Sequence, residues 1–167
     1  SLRWAHSGRG GFHHVGGLGF LAKNGIEAQD VPFKGGGPTR AALIGSQVDF
    51  GFLGVQQLAG FEEQVRALAV NSQDRDGIMT EVPSFGELGI PFAAVSSPAI
   101  VFAPKDTPAE IVTAMESALA EVAAKPEFAE LLEQRGTGPV YQTGADAKAG
   151  IAAMKADAAP LIGGQSN

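Results

Sequence analysis

Short apolar runs alternate with helix-spaced apolar positions through the first half of the chain. Leu2–His6 predicts a strand, and Phe12, Val15, Leu18 and Leu21 predict a helix over Phe12–Lys23, because residues three apart share one helix face. Asn24-Gly25 stops that helix. Glu27–Phe33 predicts a second strand, and Thr39–Gly45 a short helix with Thr39 as its cap. Val48–Leu53 predicts a third strand, Gln56–Glu63 a short helix and Val65–Asn71 a fourth strand. Strand, loop and helix in repetition imply an α/β fold with a mainly parallel sheet flanked by helices.

The pattern changes further on. Ser72–Pro91 is polar and contains prolines, with one helical turn expected at Ser84–Leu88. Ala99–Ala103 predicts another strand. Thr107-Pro108 opens a long helix, with Thr107 as cap, Pro108 first and Glu110 in the first turn. Its stripe of Ile111, Met115, Ala118, Leu119 and Val122 is expected to pack on a sheet. Pro126 opens a helix over Glu127–Arg135, ended by Gly136. Gly138–Gln142 predicts a short strand and Ala145–Ala158 a last helix. The shift near Ser96–Pro104 divides the chain into an α/β lobe, 1–98, and a helix-rich segment, 99–167.

Composition removes several classes. Hydrophobic residues are 44 % and charged residues 18 % of 167, which supplies a core and argues against disorder. The net charge is 12 − 18 = −6 with the basic residues scattered, so no nucleic-acid partner is expected. No apolar run is long enough to insert in a membrane. The chain has no Cys, which excludes disulfides and thiolate metal sites. It opens Ser1-Leu2-Arg3-Trp4, without a signal-peptide pattern and without Met, as expected of a processed or truncated chain.

Two glycine loops carry the candidate chemistry. Ser7-Gly8-Arg9-Gly10-Gly11 and Lys34-Gly35-Gly36-Gly37-Pro38-Thr39 each precede a predicted helix. Such turns expose backbone N–H groups where the helix dipole adds positive potential, and together these bind phosphate or carboxylate. In an open α/β sheet both loops lie at strand carboxyl ends, where ligands bind. Arg9, Lys34 and the hydroxyls of Ser7 and Thr39 would complete an anion site. A nucleotide P-loop is absent, and Gly17-Leu18-Gly19 falls inside a helix, where glycine lets the helix approach the sheet. His6, His13 and His14 lack the i, i+4 chelating pair, and the nearest carboxylate in sequence, Glu27, is on another element, so no metal is expected. No nucleophile elbow or acid–base pair is present, so no enzymatic activity and no cofactor are expected.

Val31-Pro32-Phe33-Lys34-Gly35-Gly36 and Leu43-Ile44-Gly45-Ser46-Gln47-Val48-Asp49 resemble the solute-binding proteins of tripartite tricarboxylate transporters (the TctC or Bug family). Arg66-Ala67-Leu68-Ala69-Val70, Val82-Pro83-Ser84 with Glu87-Leu88-Gly89, and Phe102-Ala103-Pro104 with Thr107-Pro108 follow in the family's order. The resemblance implies a periplasmic binding protein of two α/β lobes that closes on a small carboxylate and docks on a membrane permease. It implies ligand contacts from Ser7, Gly8, Arg9, Gly10, Gly11 and His14, and from Lys34, Gly35, Gly36, Gly37 and Thr39. Gly11 stands where the family has a hydroxyl, Phe12 where it has a small residue, and Ser97-Pro98 where a Trp is common. Family members are about twice as long, so the resemblance implies that 1–98 is the second lobe. Residues 99–167 would then be a crossover strand and helices belonging to a first lobe that precedes Ser1. Helices deprived of that lobe would favour a homodimer. The alternatives are an enzyme acting on a small organic acid or phosphate ester through His6, His14 or Arg9, and a sensor or scaffold lobe that binds a protein partner.

Overall fold

The computed structural model describes residues 1–95, 97–135 and 141–162. Its sheet has three parallel strands, β1 (Leu2–His6), β2 (Ala28–Pro32) and β3 (Phe50–Phe52), in the order β2-β1-β3. Helix α1 (Phe12–Lys23) links β1 to β2, and α2 (Gly36–Ile44) links β2 to β3. The expected alternation of strand and helix holds to this point. Parallel pairing places both intervening loops at the same sheet edge.

Register decides which side chains meet. Trp4 pairs with Asp30 and Phe50, and His6 with Pro32 and Phe52. Side chains alternate along a strand, so Trp4 and His6 share one face and Ala5 points to the other. Ala5 packs with Ala42 and Val48 beneath α2. On the opposite side Val15 of α1 packs with Ala93 and Val95, and with Ala158 and Leu161 of the last helix. Helix α1 lies close because Gly17 has no side chain: a Cβ there would stand 2.2 Å from the ring of Trp4. That is the close approach expected of the glycines in α1.

Several local readings change. Thr39 is not the cap of α2. Gly35 holds that position, and Thr39, inside the helix and fully buried, donates its hydroxyl to Gly35 O at 2.8 Å. The stretch expected as a helix over Gln56–Glu63 is one 3-10 turn, Val55–Gln57, followed by turns. Val65–Asn71 is not a strand and makes a single parallel bridge, Val70 to Ser84. Val70 donates to Pro83 O at 2.9 Å, but Pro83 has no N–H to extend a ladder. Ala99–Ala103 has no regular secondary structure and no strand partner among the described residues, and Phe102 is 78 % exposed.

Ser84–Leu88 does form one turn, closed by Leu88 N–H to Ser84 O at 3.2 Å. Ser84 and Glu87 cap it reciprocally: Ser84 N–H donates to Glu87 Oε2 at 2.9 Å, and Glu87 N–H to Ser84 Oγ at 3.1 Å.

Helices α3 (Ala109–Ala123) and α4 (Pro126–Gln134) follow, then α5 (Gly144–Ile162). The cap of α3 is Pro108; Thr107 turns its hydroxyl back onto Pro104 O at 2.8 Å. Pro126 opens α4 as expected. Helix α5 begins where Thr143 and Asp146 bond reciprocally, and it runs past Ala158. Ile111, Met115, Leu119 and Val122 are exposed, so the stripe of α3 packs on no sheet among the described residues. Gly136 and most of Gly138–Gln142 lie outside the described residues; Tyr141 and Gln142 are not in a strand.

Candidate functional site

The two glycine loops lie side by side at the carboxyl ends of β1 and β2. Phe33 N–H donates to His6 O at 3.0 Å and Gly35 N–H to Ser7 O at 3.3 Å, which extends the strand pairing into the loops. Gly8, Gly10 and Gly35 have φ of +137°, +74° and +99°. Only Gly adopts such values without strain, which is why glycine stands there. The first N–H groups of a helix have no partner within it. At α1 these include Phe12 and His13, and at α2 Gly36 and Gly37. Unpaired N–H groups of this kind can bind an anion.

Beneath the first loop sits a cluster of charge and imidazole. His6 and His14 are buried, with ring centroids 4.3 Å apart. His14 also stacks on Trp4 at 5.8 Å. Gly8 N–H donates to His6 Nδ1 at 3.2 Å, and Gly10 N–H to His14 Nδ1 at 3.1 Å. A ring that accepts at Nδ1 carries its proton at Nε2 when neutral. Both Nε2 atoms face Asp30 Oδ2, at 3.3 Å from His6 and 3.8 Å from His14. Arg9 closes the ring of donors, 3.2 Å from Asp30 Oδ1 and 3.0 Å from Oδ2. Burial, and then the neighbouring charge of His6, push His14 below the ordinary 6.5; Asp30 opposes the shift. The same two causes lower His13, whose Nδ1 lies 2.6 Å from Ser7 Oγ.

The donor atoms of His6, His14 and Asp30 all lie within 4.8 Å of one another, a spacing that a cation can bridge. The tautomer speaks against it. A cation would need the Nε2 lone pairs, and the two backbone amides put protons there. The cluster is built as N–H donors around a carboxylate.

A sequence profile of the tripartite tricarboxylate transporter family receptor matches residues 1–165. The chain belongs to that receptor family. It is 33 % identical over 138 residues to a UPF0065 protein encoded in the tcbD-tcbE intergenic region of a Pseudomonas species, covering 81 % of this chain and 41 % of that protein. It is 29 % identical to protein BugT of Bordetella pertussis, covering 74 % of this chain and 39 % of the other. Among solved structures, R. palustris Rpa4515 with adipate superposes with a TM-score of 0.85 at 26 % identity, covering 98 % of this chain and 56 % of that one. The periplasmic binding protein BugD superposes with a TM-score of 0.72, covering 96 % of this chain and 55 % of the other. The chain thus spans about half the length of these relatives, and its fold is that of the periplasmic-binding-protein-like structures of its family.

In this chain the expected site residues divide by exposure. Arg9, Gly10, Gly11 and Lys34 are exposed, and Ser7, Gly8, Gly35, Gly36 and Gly37 are partly so. His14 and Thr39 are buried and bonded to loop backbone. Arg9 is paired with Asp30. Sequence reasoning missed Asp30 altogether and placed Glu27 as the nearest carboxylate; the signal available was an Asp inside a predicted strand, where that residue is depleted. Beside Gly10 opens a cavity of about 430 Å³, lined largely by apolar side chains that include Phe12, Val15, Phe102 and Ile151. None of the helices is long and apolar enough to cross a membrane among the described residues.

Proposed function

We propose that this chain is the ligand-capturing part of a periplasmic solute-binding receptor. It takes up a small carboxylate and delivers it to the membrane permease of a tripartite tricarboxylate-type transporter. The observation that carries this reading is the pair of glycine loops, bonded side by side at one sheet edge, with two helix N-termini opening onto it. A relative of the same fold holding adipate supports the ligand class. The cavity beside Gly10 favours a carboxylate with a hydrocarbon body over one that is densely charged. The helix-start N–H groups of Phe12, His13, Gly36 and Gly37 would meet the carboxylate, framed by Ser7, Gly11 and Gly35, with Lys34 at the rim. Arg9, neutralised by Asp30, would serve the loop more than the ligand.

Residues 1–98 form the capturing lobe in this reading and 99–167 return toward a facing lobe, except that α5 packs Ala158 and Leu161 on the capturing lobe. The exposed segment at Phe102 and the exposed stripe of α3 fit that assignment, since both need a partner surface. Closure of the lobes would exclude water from the carboxylate. The test is native mass spectrometry and calorimetry of this chain with adipate, hexanoate and citrate as probes. Binding of adipate or hexanoate ahead of citrate is expected. Failure of all three to bind would remove the carboxylate reading.

A further inference from the structure

We propose that His6, His14 and Asp30 are positioning residues that form a proton-sensitive latch: they hold the Ser7–Gly11 loop in its binding shape, and the loop lets go when either ring is protonated. Only the consequence for the ligand rests on the carboxylate reading.

Gly8 and Gly10 are the loop residues with left-handed φ, and their N–H groups are the ones the two rings accept. Each imidazole therefore grips the loop at a strained-type backbone position. The far side of each ring faces Asp30. His14 Nε2 has no hydrogen-bond partner although its residue is 1 % exposed, so its N–H is buried and aimed at a carboxylate 3.8 Å away. Trp4 holds the plane of His14 from the other side.

An imidazolium carries a proton on both nitrogens. Its Nδ1 becomes a donor and meets the Gly8 or Gly10 N–H head-on, so the grip turns into repulsion. The charged and titratable groups facing the rings are Asp30 from β2, Arg9 from the loop, His13 from α1 and the rings themselves. Asp30 favours a proton on His14. Burial, the His6 ring at 4.3 Å and Arg9 oppose it. The His14–Gly10 grip is therefore closed at neutral pH and opens in acid, below the ordinary imidazole range.

The experiment is a pH titration of the isotopically labelled 167-residue chain by NMR. Imidazole nitrogen shifts report the tautomer, and amide exchange, corrected for intrinsic rate, reports the Gly8 and Gly10 N–H groups. We expect Nε2–H tautomers for both rings at pH 7.5 and at least a tenfold loss of Gly8 and Gly10 protection as the rings titrate. His14→Asn places a non-titrating oxygen where Nδ1 stood, so Gly10 stays protected and its acid transition disappears; His14→Leu loses the protection at every pH. Adipate affinity is expected to fall with the same midpoint in the native chain and to flatten in H14N. Nδ1–H tautomers at pH 7.5, or glycine amides that ignore the ring titration, would overturn the proposal without any variant. So would stoichiometric Zn²⁺ binding at the Nε2 atoms. The tautomer and exchange readouts need no ligand. If they come out as expected while no carboxylate binds, the latch stands and the receptor reading falls.

Discussion

Replacing Gly17 by Ala should destabilise the chain, although alanine is the better helix former. The new Cβ would stand 2.2 Å from Cζ3 of Trp4, 2.6 Å from Cη2 and 3.0 Å from Cε3. Ordinary contact begins near 3.4 Å, so helix or ring must move by about 3.4 − 2.2 = 1.2 Å. The ring has little room. It is 1 % exposed, stacked on His14 and set edge-on to Phe52 at 5.9 Å. Overpacking of a filled core costs about 1–3 kcal/mol. Removing Gly from a helix interior returns about 1 kcal/mol at most. Three ring atoms too close place the cost in the upper part of that range, about 2–3 kcal/mol, so the net loss is about 1–2 kcal/mol, and a urea dependence of about 2 kcal/mol per molar turns it into a midpoint lower by about 0.5–1 M.

Trp4 is the only tryptophan, so its fluorescence follows unfolding at the site of the perturbation. Gly150→Ala in α5 is the matched control, because nothing lies within 4 Å of its added Cβ. It should gain stability from helix propensity alone. A G17A midpoint at or above that of the native chain would refute the claim that Gly17 is there for close packing. His14 rides on the same helix, so G17A should also displace it from Gly10 and raise amide exchange there.

Other outcomes are expected. Gly35→Val places a β-branched residue at φ +99°, a strain of about 1–3 kcal/mol, and should abolish carboxylate binding in calorimetry while the chain still unfolds cooperatively. Stability should decline as pH falls below 6.5, because His14 is held lower in the folded state than in the unfolded one; urea midpoints in H14N should show less of this decline. The Ser84 N–H, and after it Arg75, hold Glu87 below the usual 4.5, so its contribution is present above that value and lost as pH falls through the lowered one; Glu87→Gln should remove that part of the acid limb. Leu119→Glu falls on an exposed position and should cost this chain under about 0.5 kcal/mol, read by the same unfolding curves; a loss of several times that would mean the stripe is buried in solution.

The parallel α/β order was legible because local signals agreed there. The helix spacing of Phe12, Val15, Leu18 and Leu21, the stop at Asn24-Gly25 and the short strands on either side all pointed one way. Val65–Asn71 and Ala99–Ala103 carry equally good strand composition and are not strands. A strand needs a neighbour. Pro83 ends the ladder beside Val70 after one bridge, and the residues around Phe102 have no strand to pair with among the described residues. Composition cannot report a missing partner. Thr39 failed differently: a run of three glycines let the helix begin before it, and a buried hydroxyl then bonds back along the helix.

The site was half legible for a related reason. The glycine loops declare themselves in sequence, and His14 was named with them. What sequence could not show is that several of the loop amides are already taken, those of Gly11 and Gly35 by the carbonyls of Gly8 and Ser7. The N–H groups of Gly8 and Gly10 go to imidazoles, so the first loop cannot be an anion cradle built from all its amides. The donors left for a ligand are those of the helix starts, Phe12 and His13 at α1 and Gly36 and Gly37 at α2. That division follows from the register that sets Trp4 opposite Asp30 and brings a carboxylate under β1. With Asp30 in place, Arg9 is neutralised and both rings are turned so that Nδ1 faces the loop. Asp30→Leu should therefore weaken carboxylate binding through loop disorder, even though it removes a negative charge from beside an anion site. Tighter adipate binding in D30L, measured by calorimetry at pH 7.5, would mean that simple charge repulsion, and not loop positioning, is what Asp30 contributes.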